Sequence, residues 1–359
     1  MRKIVWIVAG FLILFVSAVL SWGFFHSDSP QPSTADDEPS AEIGESYPNA
    51  GFFPIFSLNV HDWGNIEESI AAVERVLDIH EKNNVPLDIY FTDPLFRLFV
   101  ERDPELIERL RDSTVATVAY HIRPPVPYYP GFDWLGLEAL EKKELYDLVM
   151  EYETHALDLS TAMSTGDPGG YAYVAKMMGY APIGVGIVAG GRVGETVAQV
   201  YKDLGATFMV AHGDTFALGQ TALGGLLYRP EDIDLKIYEQ ARRTQDGGEV
   251  IEKILDGVDA SSSRVFLGIK YHEVNYYYFD GTPWWPVYFN GIQKDNGPRL
   301  DPPYDTSKGT SGGRMQTSEE IEQDWTLYES AVQYVAEHPD AFHPVNLRDL
   351  ANMVEVIPI

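Results

Sequence analysis

Residues 53–77 read FPIFSLNVHDWGNIEESIAAVERVL, and this stretch decides the fold. Its first half is a short apolar run of the kind that forms a buried strand. Its second half changes period. Asn65 and Glu68 have the spacing of a capping box, and Ile66, Ile70, Val73 and Leu77 follow at helical intervals. His61 and Asp62 therefore fall at the carboxyl end of a strand, just before a helix. In α/β proteins that edge is where ligands bind.

Working outward, the same alternation recurs along the chain. Strands are expected at 55–60, 87–92, 115–120, 184–188, 207–211, 265–271 and 341–345, separated by helical patterns. Such alternation defines an α/β protein with a parallel sheet wrapped by helices. Asp93-Pro94 and Asp103-Pro104 each place an acid and a proline at a helix start, and Thr317 with Glu320 forms a further capping box. Long helices are expected over 137–159 and 318–337. Between Tyr276 and Gln316 little regular pattern appears, and irregular segments of that length are usually lids or disordered.

The chain has 359 residues, enough for one large α/β domain or two ordinary ones. Its net charge of -28 sets it against nucleic acid and anionic membrane surfaces as partners. It contains no cysteine, which excludes disulfides, thiolate ligands and a cysteine nucleophile. Residues 1–25 begin with Arg2 and Lys3 and continue as an uncharged, mostly apolar run. That is the pattern of an N-terminal membrane anchor, or of a signal sequence, and it would place the rest outside the cytoplasm. Residues 26–50 are rich in Ser, Pro, Asp and Glu and read as a disordered acidic linker, so the folded domain is expected over 51–359.

If the parallel strands share one carboxyl face, several ionisable residues gather there. The first strand ends in His61 and Asp62, the third in His121 with Arg123 beyond it, the fifth in His212 and Asp214, the sixth in His272 and Glu273. Neutral imidazole and carboxylate suit a catalytic zinc or similar divalent ion that activates a water. The same side chains could instead satisfy backbone groups at strand ends. His80 on the first helix, His155 in a long helix, His338 and His26 read as structural or solvated, while His343 in the last expected strand could line the pocket. Trp284 and Trp285, in a Tyr- and Phe-rich stretch after His272, could stack on sugar rings or pack a core. The glycines of GVGIVAGGRVGE lack the G-x-G-x-x-G spacing of a dinucleotide site and fit a tight turn.

In the order of these elements the chain resembles the NodB-homology polysaccharide deacetylases, the fourth family of carbohydrate esterases. The resemblance implies a distorted, TIM-like (β/α)7 barrel. LNVHDW is similar to the family's first motif, with His61 at the position of its base and Asp62 at that of its metal ligand. YHIRPP is similar to the second, with His121 as the first histidine ligand and Pro125 where the second would stand. TGDPGG echoes the third, keeping Pro168 and Gly170 but carrying Gly166 at the arginine position. VFLGIKYHE is similar to the last, giving His272.

The function this implies is a metal-dependent hydrolase acting on carbohydrate, a deacetylase of an N- or O-acetylated glycan such as a cell-envelope polysaccharide. Asp62, His121 and His272 would hold the ion. His61, His272 and Arg123 would act on the substrate, with Trp284, Trp285, His212 and Asp214 lining its path. Two other readings remain: a carbohydrate-binding barrel without a metal, and a glycoside hydrolase that pairs Asp62 with Asp214 or Glu273.

Overall fold

A computed structural model describes residues 47–60, 62, 64–121, 139–158, 160–161, 163–186, 191–211, 215–235, 237, 246–279 and 314–355. The chain divides into two units, Met1–Ser46 and Tyr47–Ile359, and all the described residues belong to the second.

Ten strands are assigned among these residues: β1 (Gly51–Val60), β2 (Leu87–Phe91), β3 (Ala116–His121), β4 (His155–Asp158), β5 (Met163–Pro168), β6 (Gly184–Gly186), β7 (Phe208–Val210), β8 (Leu227–Tyr228), β9 (Ile233–Leu235) and β10 (Arg264–His272). Eight of them form one sheet in the order β8-β7-β6-β3-β2-β1-β10-β9, and every pair is parallel. From β1 the order climbs through β2, β3, β6, β7 and β8 on one side, and falls through β10 to β9 on the other. Chain order thus runs once around a ring, which is the winding of an α/β barrel. A doubly wound sheet would instead reverse direction at a switch point. The ring is open between β8 and β9, the two ends of the sheet.

The helices are α1 (Ile66–Asn83), α2 (Asp93–Arg102), α3 (Pro104–Asp112), α4 (Lys142–Thr154), α5 (Gly170–Met178), α6 (Gly191–Asp203), α7 (Gly247–Leu255), α8 (Ser318–Glu337) and α9 (Leu347–Glu355). Strand alternation divides the core in two. Phe56, Leu58, Val60, Ile89, Val118 and Ile269 face outward and pack with the helices. Phe53, Ile55, Tyr90, Ala119, Phe208 and Phe266 face inward and pack against Val345, Leu347, Leu350 and Met353. The backbone N–H of Leu347 donates to Asp88 Oδ1 at 3.0 Å, and Asn346 Nδ2 donates to the Val115 carbonyl at 3.1 Å. Both partners lie where strands begin, so the segment leading into α9 closes the amino end of the barrel and leaves the carboxyl end as its mouth.

Six expected strands take their places in this sheet. The seventh, at 341–345, is not a strand: it makes a single bridge, Phe342 to Phe52, and its N–H groups at His343 and Val345 bond to β1 carbonyls before β2 begins. His343 therefore packs against Phe53, with ring centroids 5.4 Å apart, at the end opposite the mouth. Two very short strands, β8 and β9, were not anticipated. The helix expected over 137–159 is assigned as Lys142–Thr154, and His155 begins β4, which pairs with β5 as an antiparallel hairpin. Asp103 and Thr317 cap their helices as expected. Asp93 is itself helical, preceded by Thr92, and pairs with Arg97 at 2.9 Å.

Candidate active site at the barrel mouth

His121 ends β3 and His272 ends β10, and on both strands the inward positions run in alternation down to apolar residues of the barrel interior. In register, His272 stands beside Asn59 of β1, Asn59 beside Tyr90 of β2, and His121 beside Gly186 of β6. A Cβ at Gly186 would lie 3.0 Å from His121 Cδ2, so the bare glycine leaves the space this ring occupies. Burial pushes the His272 imidazole down to about 4, and the nearby His121 ring adds to the effect. Burial thus favours the neutral ring of His272 at neutral pH.

Immediately below His272 on the same face of β10 is Lys270. Its ammonium contacts Glu231 Oε1 at 2.7 Å and Asp234 Oδ1 at 3.6 Å. Glu231 Oε2 also receives Arg229 Nη2 at 2.8 Å, and Arg229 Nη1 reaches across the interior to Ser57 Oγ of β1. Arg229 and Glu231 are both buried. Burial and the Arg229 charge lower the affinity of Lys270 for its proton, and Glu231 opposes them. This ionic group ties the connection between β8 and β9 to β10 and β1. Gly268 makes room for it, since a Cβ there would collide with the Glu231 carboxylate.

Asp62 lies on the other face of the sheet. It is fully buried, and its carboxylate accepts from Gly64 N at 2.9 Å, Asn65 Nδ2 at 2.8 Å and Tyr277 Oη at 2.9 Å. Its own N–H donates to Glu273 Oε1 at 2.5 Å, and its carbonyl accepts from Ser69 Oγ of α1 at 3.0 Å. Burial raises its pKa, and the hydrogen bonds oppose that shift. The side chain fastens the β1–α1 turn to the 3-10 turn Glu273–Tyr276 that follows β10. Asn65 is spent on the same fastening: its Nδ2 also donates to Tyr278 Oη at 3.0 Å, and it makes no side-chain cap on α1.

The structure therefore brings His121 and His272 together and does not bring Asp62 or Glu273 to them. A catalytic zinc takes three protein ligands and keeps an open position. Among the described residues no three histidine or acidic side chains converge in that way. With Asp62 held on the helix face, the ligand set Asp62, His121 and His272 does not fit a divalent ion. Asp62 and Glu273 also cannot face each other across a substrate as a glycosidase pair, because both are buried where the two turns are hydrogen-bonded to each other. His61, Arg123, His212, Asp214, Trp284 and Trp285 lie outside the described residues. So does the N-terminal segment 1–25; among the described residues no helix is long and apolar enough to cross a membrane.

Sequence reasoning missed the ionic group. Lys270 and His272 alternate on one strand face, but Arg229 and Glu231 lie in the short connection between β8 and β9, which carries no period. His80 behaves as expected of a core histidine: its ring bonds the Val85 carbonyl at 2.8 Å and Tyr328 Oη at 2.7 Å. Pro168 and Gly170 of the echoed third motif sit at the β5–α5 junction, where the Pro168 carbonyl accepts from Arg97 at 2.5 Å.

Fold and site together define a parallel α/β barrel with a histidine pair at its carboxyl mouth. No family model matches the sequence, and no curated protein matches it. Among solved structures, a 4-alpha-glucanotransferase from Thermococcus litoralis is similar at 13% identity and a TM-score of 0.46, over 84% of this chain but only 40% of its own. The peptidoglycan deacetylase PdaC from Bacillus subtilis is similar at 10% identity and a TM-score of 0.38, over 86% of this chain and 94% of its own. A mutant of a CE4 family pseudoenzyme with restored enzymatic activity is similar at 10% identity and a TM-score of 0.36, over 84% of this chain and 67% of its own. Scores this low tie the chain to none of these activities.

Proposed function

We propose that the chain is a hydrolase acting on carbohydrate, with its site at the barrel mouth around His121 and His272. One observation carries the reading: two imidazoles from distant strands converge on the face where parallel α/β barrels bind substrate, and one of them is held neutral. A neutral, half-buried histidine can take a proton from an attacking water, a contribution typically on the order of 100- to 10,000-fold in rate. The second ring, at the same mouth, would donate to substrate oxygen. The resemblance of YHIRPP and VFLGIKYHE to deacetylase motifs supports an acetylated glycan as the substrate class. The basic, then apolar, start of the sequence supports a location outside the cytoplasm at a membrane, with cell-envelope polysaccharide within reach.

The test is acetate release from acetylated chitooligosaccharide and from O-acetylated xylan by the whole protein. The proposal expects turnover on one of them and a loss of at least about 100-fold in both His121→Ala and His272→Ala, with the melting temperature held. Equal rates in wild type and variants overturn it. The placement of Asp62 favours a second reading, a carbohydrate-binding barrel without hydrolysis. That reading expects saturable glycan binding in calorimetry and no acetate release.

A further inference from the structure

The strands that end in the two histidines, β10 and β3, are separated in the sheet by β1 and β2. The side chains that β1 and β2 send inward near their carboxyl ends therefore form the floor between the imidazoles. On β1, Phe53 and Ile55 face the interior while Phe56, Leu58 and Val60 face the helices, so Ser57 and Asn59 follow inward by alternation. On β2 the inward residue at this level is Tyr90, and Thr92 comes next. Thr92 and Tyr90 are shut away from solvent, at 0% and 1% exposure. Ser57 lies one step lower, and its hydroxyl is taken by Arg229. Asn59 is the polar side chain left, among the described residues, on this stretch of floor. It keeps 8% of its surface. Its amide makes no hydrogen bond among the described residues, and neither amide atom is among those sealed from solvent without a partner.

Asn59 and His272 are register partners on neighbouring parallel strands, about 5 Å apart at the backbone, with both side chains on the inner face. Asparagine is a poor strand former, so its place in a strand laddered on both sides calls for a reason. An amide brings two N–H donors, carries no charge and has no proton to lose. Such a donor suits a place where negative charge appears and then disappears. The inference rests on the reading of this mouth as an acetyl-glycan hydrolase. In that reaction water adds to the acetyl carbonyl carbon. One proton passes to an imidazole of the pair, and the carbonyl π electrons move onto oxygen. Collapse re-forms the carbonyl and breaks the bond to the sugar nitrogen or oxygen, which takes the proton back. We propose that Asn59 is a further catalytic residue, its Nδ2 donating to the acetyl carbonyl oxygen as that oxygen becomes an oxyanion. A donor held by a strand between two others needs no reorganisation as the charge develops, and one such bond is typically worth about 100- to 1,000-fold in kcat.

Two variants of the whole protein test this. Asn59→Leu removes the donor with little change in bulk, and Asn59→Asp keeps the shape but replaces the donor with a carboxylate. On acetylated chitooligosaccharide or O-acetylated xylan, both should lose about 100-fold or more in kcat, with KM within about three-fold of wild type and the melting temperature held. A merely structural role would not separate kcat from KM in this way. Wild-type rates in Asn59→Leu overturn the proposal and leave the hydrolase reading standing. A wild type that turns over neither glycan overturns the hydrolase reading, and the amide is then judged by binding. The carbonyl carbon-13 resonance of each labelled glycan should move downfield on the wild-type protein and less on Asn59→Leu. The same resonance on both proteins, or no binding by the wild type, overturns the contact as well. Should Asn59→Leu fail to fold, the nearly isosteric Asn59→Asp carries the same comparisons.

Discussion

The hydroxyl of Tyr277 donates to Asp62 Oδ2 at 2.9 Å, tying the first strand-to-helix turn to the turn that follows β10. An acid that the sequence placed at a metal is thereby a structural fastener. Asp62→Ala would leave Gly64 N, the Asn65 amide and the Tyr277 hydroxyl without an acceptor. We expect a loss of about 3 kcal/mol in urea unfolding, and about 1 kcal/mol for Tyr277→Phe. Zinc binding measured by calorimetry should be the same in wild type and Asp62→Asn, whereas a selective loss in the variant would restore Asp62 to a metal site.

Two buried histidines should make the fold acid-sensitive. His80 and His272 each have a folded pKa of about 4 against 6.5 for the free side chain. The unfolded chain therefore binds more protons between those values, so stability rises with pH over the window and is lost as pH falls from about 6.5 towards 4. For His80 the limit is roughly 3 kcal/mol, and for the part-exposed His272 it is less. Ring-carbon chemical shifts should show both imidazoles still neutral at pH 5. A ring that titrates near 6.5 in the native protein contradicts its assigned burial.

Asp88 should act in the opposite sense. Burial raises its carboxyl to about 7, opposed by the Leu347 N–H, Arg229 and Arg348, and reinforced by Asp349. An acid with a raised folded pKa favours the native state at low pH, and that advantage disappears as pH rises from about 3.8 through about 7. Asp88→Asn carries no such charge and should gain stability on wild type across that window, by a few kcal/mol at most. Parallel stability curves for the two proteins from pH 4 to about 8 would show that Asp88 is ionised throughout.

Two glycines on one short strand should separate the ends of the barrel. At Gly184 a Cβ would collide with the Leu347 side chain in the plug, while at Gly186 it would press on the His121 ring. Gly184→Ala is expected to cost about 1–3 kcal/mol of stability with turnover intact. Gly186→Ala should lower turnover on acetylated glycan at least about ten-fold with a smaller change in melting temperature. The reverse pattern would put the reactive end of the barrel at α9.

Most of the architecture could be read from the sequence because long elements carry their own period. The strand before His61, the helix beginning at Ile66 and α8 after Thr317 are each long enough to show alternation or a helical face. The ring itself was harder to read. β8 and β9 have two and three residues, too few for any period, and they are located by the ladder to β7 and β10. The segment at Phe342 reads as a strand because it is apolar, yet it only bridges β1 before turning into the plug. At the site, Asp62 was expected at the mouth because it follows the first strand, but its carboxylate is taken up on the helix face by Gly64, Asn65 and Tyr277. His121 and His272 were found because each ends a strand, while Arg229, Glu231 and Lys270 were missed because their pairing is purely tertiary.

The open side of the ring has a mechanical meaning. Everywhere else, neighbouring strands are stitched by backbone bonds; β8 and β9 share no ladder and are joined only by the connection 229–232, whose Glu231 holds Arg229 and reaches Lys270 of β10. A cylinder built this way has a seam, and thermal breathing will unzip it along that line before any other. Amide hydrogens of Leu227, Tyr228 and Ile233 should therefore exchange with solvent ahead of those in β1 and β2, making this edge the hinge through which the interior is first wetted.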